Sequence, residues 1–181
     1  MLMVITIVGI VAATAIPSFQ PNIHQQLQSA ARLLGDDVSY ARNLAVVYNS
    51  TYRIDFDLVQ NQYVLRHTGS NASLNTLPAS PSRRMSDPVD RQIVRLQEAL
   101  PSGVVVRLLA VYALSMPAQS VGDIEFGPLG ETSRADETIV WLVAGSGSNT
   151  RYLSLRISPV TGLCRIGTFQ GTAPTLATPT G

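Results

Sequence analysis

The side chains able to do chemistry are few and far apart. Histidine occurs only at positions 24 and 67, and cysteine only at 164. His24 lies in a helical pattern and His67 at the end of a strand pattern. The sequence therefore supplies neither the donor set of a His-rich metal site nor the parts of a Ser-His-Asp triad. Asp55 and Asp57 share one strand face, as two ligands to a divalent ion would, but with Arg53 beside them they read as a solvated face. Gly145-Ser146-Gly147-Ser148 has the small residues of a phosphate-cradling loop without the helix that must follow one. Arg83, Arg84, Arg91 and Arg95 form a local basic cluster, and Arg83 and Arg84 are the candidate nucleic-acid contacts. Against that use stand a net charge of +1, a charged fraction of 14%, and Arg165 as the single arginine after Gly162. A lone cysteine forms no internal disulfide, so Cys164 reads as a small, buried or half-buried strand residue. No catalytic residue, cofactor or metal is expected, and the chain reads as a non-enzyme.

The elements that would carry these residues begin with an apolar run. Of Met1 to Ile16, thirteen residues are Ala, Val, Ile, Leu or Met, and no charged side chain appears before Arg32. Met1, Leu2, Val4, Ile5, Val8, Gly9, Ile10, Ala12 and Ile16, with Pro17 closing the run, are the candidate membrane or filament helix. Sixteen helical residues span about 24 Å, slightly less than a hydrocarbon core of about 30 Å. Pro17 and Pro21 each remove an amide donor, which predicts a bend before the next segment. There Leu27, Ala31, Leu34, Val38, Ala41, Ala45 and Tyr48 alternate at spacings of four and three, and Leu33, Tyr40, Leu44 and Val47 widen the stripe. Leu27, Leu34, Val38, Ala41 and Ala45 are the residues expected to pack this helix on a sheet.

From Thr51 the period changes to two. Tyr52, Ile54, Phe56 and Leu58 alternate with polar residues, and Gln62 to His67 reads as the hairpin partner. Residues 68–88 read as a surface loop, and Asp87-Pro88 as the start of a short helix over 88–99 with Val89, Ile93, Leu96 and Leu100 on one face. Short strands separated by Gly and Pro turns follow, the pattern of an antiparallel sheet. The uncharged Thr/Pro/Ala/Gly segment 171–181 buries too little to order itself. The expected division is a hydrophobic helix over 1–20, an amphipathic docked helix over 21–50, a β head over 51–170 and a tail over 171–181. The class is α+β: a long N-terminal helix packed on an antiparallel sheet.

Gly9 followed by Ala15-Ile16-Pro17-Ser18-Phe19 resembles the N-terminal helix of type IV pilins and type II secretion pseudopilins. Ala31 to Leu34, Tyr40 to Ala45, Leu100 to Val104, Ile124 to Gly130, Leu155 to Ser158 and Thr161-Gly162 are, in their order, similar to the minor pseudopilins of the GspH/FimT type. The resemblance covers residues 1 to about 168. It implies a pilin-like fold and a non-enzymatic subunit, anchored by a single pass in the inner membrane with its head in the periplasm, near the tip of a secretion pseudopilus. Its implied partners are other pilins or pseudopilins through the N-terminal helix, the inner-membrane assembly machinery, a prepilin peptidase and the membrane, with no nucleic acid. The alternative it carries is a FimT-type minor pilin serving pilus biogenesis or DNA uptake. It further implies a short leader ending in Gly and a Phe-Thr-Leu-Ile-Glu-like mature start, whose five residues fall immediately before Met1 when Gly9 and Pro17 are aligned. With them the apolar helix would reach about 31 Å.

Overall fold

The computed structural model describes residues 22–80, 83–100 and 105–175. The apolar run 1–16 and the bend expected at Pro17 and Pro21 lie outside them. Helix α1 (Ile23–Val47) starts at Asn22, whose side-chain oxygen accepts from the His24 amide at 3.1 Å and so satisfies one of the first-turn donors. Its far end closes in a Schellman turn. Asn49 adopts φ +47°, the Ser50 amide donates to the Ala45 carbonyl and the Asn49 amide to Val46. Leu27, Ala31, Leu34, Val38, Ala41 and Ala45 have no exposed surface, whereas Val47 and Tyr48 are 73% and 41% exposed. The apolar stripe thus ends one turn earlier than its spacing suggests, because the last helical turn curls into the Schellman closure clear of the core.

Two antiparallel sheets, not one, face this helix. Sheet A has the order β3 (Arg91–Arg95), β2 (Gln62–His67), β1 (Tyr52–Asp57), β6 (Asp123–Phe126). Sheet B has the order β5 (Gln119–Ser120), β4 (Val106–Ala113), β7 (Thr138–Ala144), β8 (Arg151–Ile157), β9 (Cys164–Ile166). On sheet A the inward residues Tyr52, Ile54, Phe56, Tyr63, Leu65, Ile124 and Phe126 alternate with Arg53, Asp55, Val64, Arg66 and Glu125 outward. The short helix expected over 88–99 is instead the edge strand β3 followed by one helical turn, α2 (Leu96–Ala99). Val89, Ile93, Leu96 and Leu100 do carry a helical spacing. The buried residues, however, are Gln92, Val94 and Leu96, with period two, and the open edge of β2 pairs Val94 with Tyr63 and Gln92 with Leu65. A ladder of backbone hydrogen bonds outweighs a weak local preference.

Asn61 joins the two sheets. It sits in the β1–β2 turn at φ +53°, 5% exposed. Its side-chain amide donates to the Val106 carbonyl and accepts from the Leu108 amide, both at 2.8 Å, as a neighbouring strand would, while its own carbonyl accepts from the Leu96 amide. Asn61→Ala leaves two buried backbone groups of β4 without partners, at about 1–3 kcal/mol each. A fall of that size in urea-unfolding free energy is expected; Asn61→Gly, which keeps the φ and loses the amide, should fall nearly as far.

Candidate functional site

Three of the short motifs read in the sequence meet in space. The turn Gly127–Gly130 after β6 closes through the Gly130 amide on the Gly127 carbonyl, and the turn at Thr161-Gly162 leads into β9. Arg42, projecting from α1, donates through Nε to the Thr161 carbonyl at 2.6 Å. Both glycines are left-handed, Gly130 at φ +83° and Gly162 at φ +62°. A Cβ on Gly162 would lie 2.2 Å from the Gly130 carbonyl oxygen, and one on Gly130 would lie 2.9 Å from Arg42 Nε. The Thr132 amide donates to Pro159 across the same junction. The helix is thereby locked to both sheets at one pole, and the two turns carry Leu129, Val160 and Leu163 outward at 87%, 77% and 55% exposure. The arrangement fixes a surface.

Deeper on the same helix, Asp37 is buried at 3% exposure. Tyr63 Oη donates to its Oδ2 at 2.6 Å and Gln92 Nε2 to its Oδ1 at 3.0 Å, so strands β2 and β3 are pinned to α1 by one carboxylate. Burial, followed by the Asp37 charge and the hydrogen bond to it, holds the Tyr63 phenol well above its ordinary value. Burial also raises Tyr40 and Tyr52, with Tyr48 the next cause for each. The sign follows from linkage: with the folded value above the unfolded one of about 10, the stabilisation is whole below pH ~10 and is lost as pH rises toward the folded value. The contribution of these tyrosines should therefore be whole through neutrality and fall above pH ~10. Tyr63→Phe should be about 1–3 kcal/mol less stable at pH 7, through the lost bond to a charged acceptor, yet fall less steeply in alkali. Urea titrations at pH 7, 10 and 11.5 test both halves; parallel alkaline losses would contradict the assignment.

The chemistry-bearing residues singled out earlier are dispersed. His67 does find partners: Ser50 Oγ lies 2.7 Å from Nε2, and Asn75 Oδ1 lies 2.8 Å from Nδ1. The order is that of a Ser-His-Asn relay. Ser50, however, is walled by Gly69, where any Cβ would come within 2.1 Å of Oγ, and the cavity beside His67 and Asn75 is not lined by Ser50. The relay ties the end of α1 to the β2–β3 loop. His24 lies far off, stacked edge-on against Phe169 at 4.6 Å. Asp55 pairs with Arg66 at 2.7 Å, and Asp57 caps its own turn by accepting from the Val59 and Gln60 amides. Arg53 reaches Glu125 at 2.8 Å and Asp123 at 3.4 Å, so the acidic face is neutralised in place. Arg83 donates to the Leu77 carbonyl, Arg84 meets Glu98 at 2.5 Å, and Arg91 meets Asp90 at 2.8 Å. Cys164 is half-buried on β9, and burial pushes its thiol up to about 11, the inert range. Among the described residues there is no cluster of three or more His, Cys, Asp or Glu able to hold a metal ion, and no helix long and apolar enough to cross a membrane.

Three solved structures resemble this fold. Two are crystal forms of the type IV minor pilin FimU of Pseudomonas aeruginosa, each at 18% identity: one matches over 78% of this chain and 93% of its own with a TM-score of 0.44, the other over 84% and 95% with 0.46. The third is the minor pseudopilin EpsH of the type 2 secretion system of Vibrio cholerae, at 8% identity over 78% of this chain and 95% of its own, with a TM-score of 0.49. No sequence-family profile and no curated protein matches the chain.

The contacts of Arg42, Asn61 and Asp37 carry no signal in the sequence because each is a polar residue whose partners lie far along the chain. Gly130 and Gly162 did carry a local signal, as turn glycines. Their mutual contact had none.

Proposed function

We propose that the chain is a minor pseudopilin: a non-enzymatic structural subunit at or near the tip of a periplasmic pseudopilus in type II protein secretion, held in the inner membrane by residues 1–20 until assembly. The observation that supports it most is α1. Its apolar face, Leu27 through Ala45, is spent on the head, and it starts at Asn22, directly after the apolar run whose Gly9 and Ala15-Ile16-Pro17-Ser18-Phe19 resemble the pilin assembly helix. In a filament, Met1 to Ile16 would exchange lipid for neighbouring helices, and Gly9, Ala12, Ala13 and Ala15 permit close approach. The head would then be carried outside on a stalk locked at Arg42.

The second reading, a FimT-type minor pilin that contacts DNA, draws on the arginines near position 83. Those side chains are already engaged by Leu77, Glu98 and Asp90, so phosphates would have to compete for them. The purified chain in detergent should bind duplex DNA only in the non-specific range of about 1–100 μM at physiological salt. Arg83→Ala with Arg84→Ala should leave co-purification with pilin-type partner subunits unchanged, and Gly9→Leu should reduce it. Sub-micromolar DNA binding with a steep salt slope would favour the second reading; co-purification indifferent to Gly9→Leu would remove the first.

A further inference from the structure

Strand β3 ends sheet A on one side, with no strand beyond it among the described residues. Which of its backbone groups face β2 follows from the register. The Leu96 amide donates to the Asn61 carbonyl, so Val94 and Gln92 also bond to β2, while Ile93 and Arg95 turn their backbone groups away from it. The Ile93 N–H and C=O and the Arg95 N–H find no partner among the described residues. The opposite edge of the sheet is closed by the chain itself. On β6 the outward carbonyls of Asp123 and Glu125 accept from Arg134 Nη1 at 2.7 Å and from the Ser133 amide at 2.9 Å.

A pocket of about 420 Å³ runs along the open edge. Val94 faces the core and Ile93 and Arg95 face outward, yet all three line it together with Leu33 of α1, which places it at the rim of the strand rather than on either face. Its charged residues are Arg83, Arg84, Arg95 and Glu98. Glu98 Oε2 lies 2.5 Å from Arg84 and 3.9 Å from Arg95, so a single carboxylate stands among three guanidiniums and the pocket keeps a positive surplus.

We propose that this edge is a docking site for an extended, acidic segment of another polypeptide, which joins sheet A as an added strand and sets its carboxylates among Arg83, Arg84 and Arg95. Backbone and side chains specify that ligand independently. A donor and an acceptor on Ile93 with a further donor two residues on is a pattern that the backbone of a second strand matches. The guanidiniums set the sign, and Glu98 shows the group they take, since a carboxylate accepts forked N–H donors. Arginines along β3 hold two copies of the edge apart, and the same charges draw in a strand of opposite sign. A phosphate backbone would meet the arginines but leave Ile93 unpaired. On the α1 side the lining is Leu33 and Val94, and an extended segment sends every second side chain there, so the sequence that fits alternates aliphatic with acidic residues.

The experiment titrates the full chain in detergent with a short fluorescein-labelled peptide of alternating glutamate and valine, read by anisotropy. Three further arms use lysine in place of glutamate, the glutamate peptide with every amide N-methylated, and duplex DNA as competitor. The glutamate peptide should bind saturably and slow hydrogen exchange at the Ile93 and Arg95 amides. N-methylation should weaken it about tenfold through the lost backbone bonds. Arg84→Ala with Arg95→Ala should weaken it about tenfold through the lost charge-assisted bonds, and the lysine peptide should not compete. Equal binding of the methylated and unmethylated peptides, or unchanged exchange at Ile93 and Arg95, would reduce the site to ion exchange and overturn the proposal. Displacement of the peptide by sub-micromolar DNA would overturn it in favour of a nucleic-acid site.

Discussion

Leu34→Asp should abolish the cooperative unfolding transition or lower its urea midpoint further than any other single change on α1. Leu34 has no exposed surface and sits in the core that the helix shares with the sheets. Its burial contributes roughly 1.5–3 kcal/mol, and an unpaired carboxylate in its place adds a desolvation cost of several kcal/mol. A domain of this size has about 5–15 kcal/mol in total. Leu34→Ala should cost about 2–5 kcal/mol, set by how far the site collapses. Arg83→Ala, which loses one bond to the Leu77 carbonyl, should stay within about 0.5 kcal/mol of the parent. Equal midpoints for Leu34→Asp and Arg83→Ala would mean that the helix is not held by this face.

That contrast also shows where the fold is legible in the chain. The spacing of Leu27 to Ala45 announces the helix face because side chains on a regular helix are placed by counting alone. The hairpin of β1 and β2 announces itself equally well through alternation, with Asn61 at its turn. Strand β3 does not, since Val89, Ile93 and Leu96 satisfy a helical spacing while Gln92 and Val94 satisfy a strand one. The choice is made by β2, a partner twenty-five residues or more away in sequence. The division into two sheets is hidden for a related reason: the joint is a side-chain amide mimicking a strand, and Asn61 looks like any turn residue until Val106 and Leu108 are beside it. Asp37 breaks the expected polarity of the helix stripe, and the bonds from Tyr63 and Gln92, brought by two different strands, help explain why a carboxylate is tolerated there.

Gly162→Ala should be the most damaging change outside the core, and its magnitude can be separated into parts. A left-handed φ costs an alanine about 1–2 kcal/mol wherever it occurs. Gly147 isolates that cost, since it holds φ +56° and a Cβ there would meet nothing within 4 Å. Gly130 adds a clash with Arg42 Nε at 2.9 Å, which a flexible side chain relieves by moving, though at the expense of the Nε bond to Thr161. Gly162 adds a clash at 2.2 Å with the Gly130 carbonyl oxygen, and backbone held by the Gly127 turn cannot step aside without opening the junction. The expected order of destabilisation is therefore Gly162→Ala, then Gly130→Ala, then Gly147→Ala, with the first costing about 3 kcal/mol or more against about 1–2 for the last. Urea midpoints of the three variants measure it. Equal losses at 162 and 147 would mean that the turns slide past one another freely. In that case Arg42 would not lock the helix to the two sheets, and the pole that carries Leu129, Val160 and Leu163 would have no fixed shape.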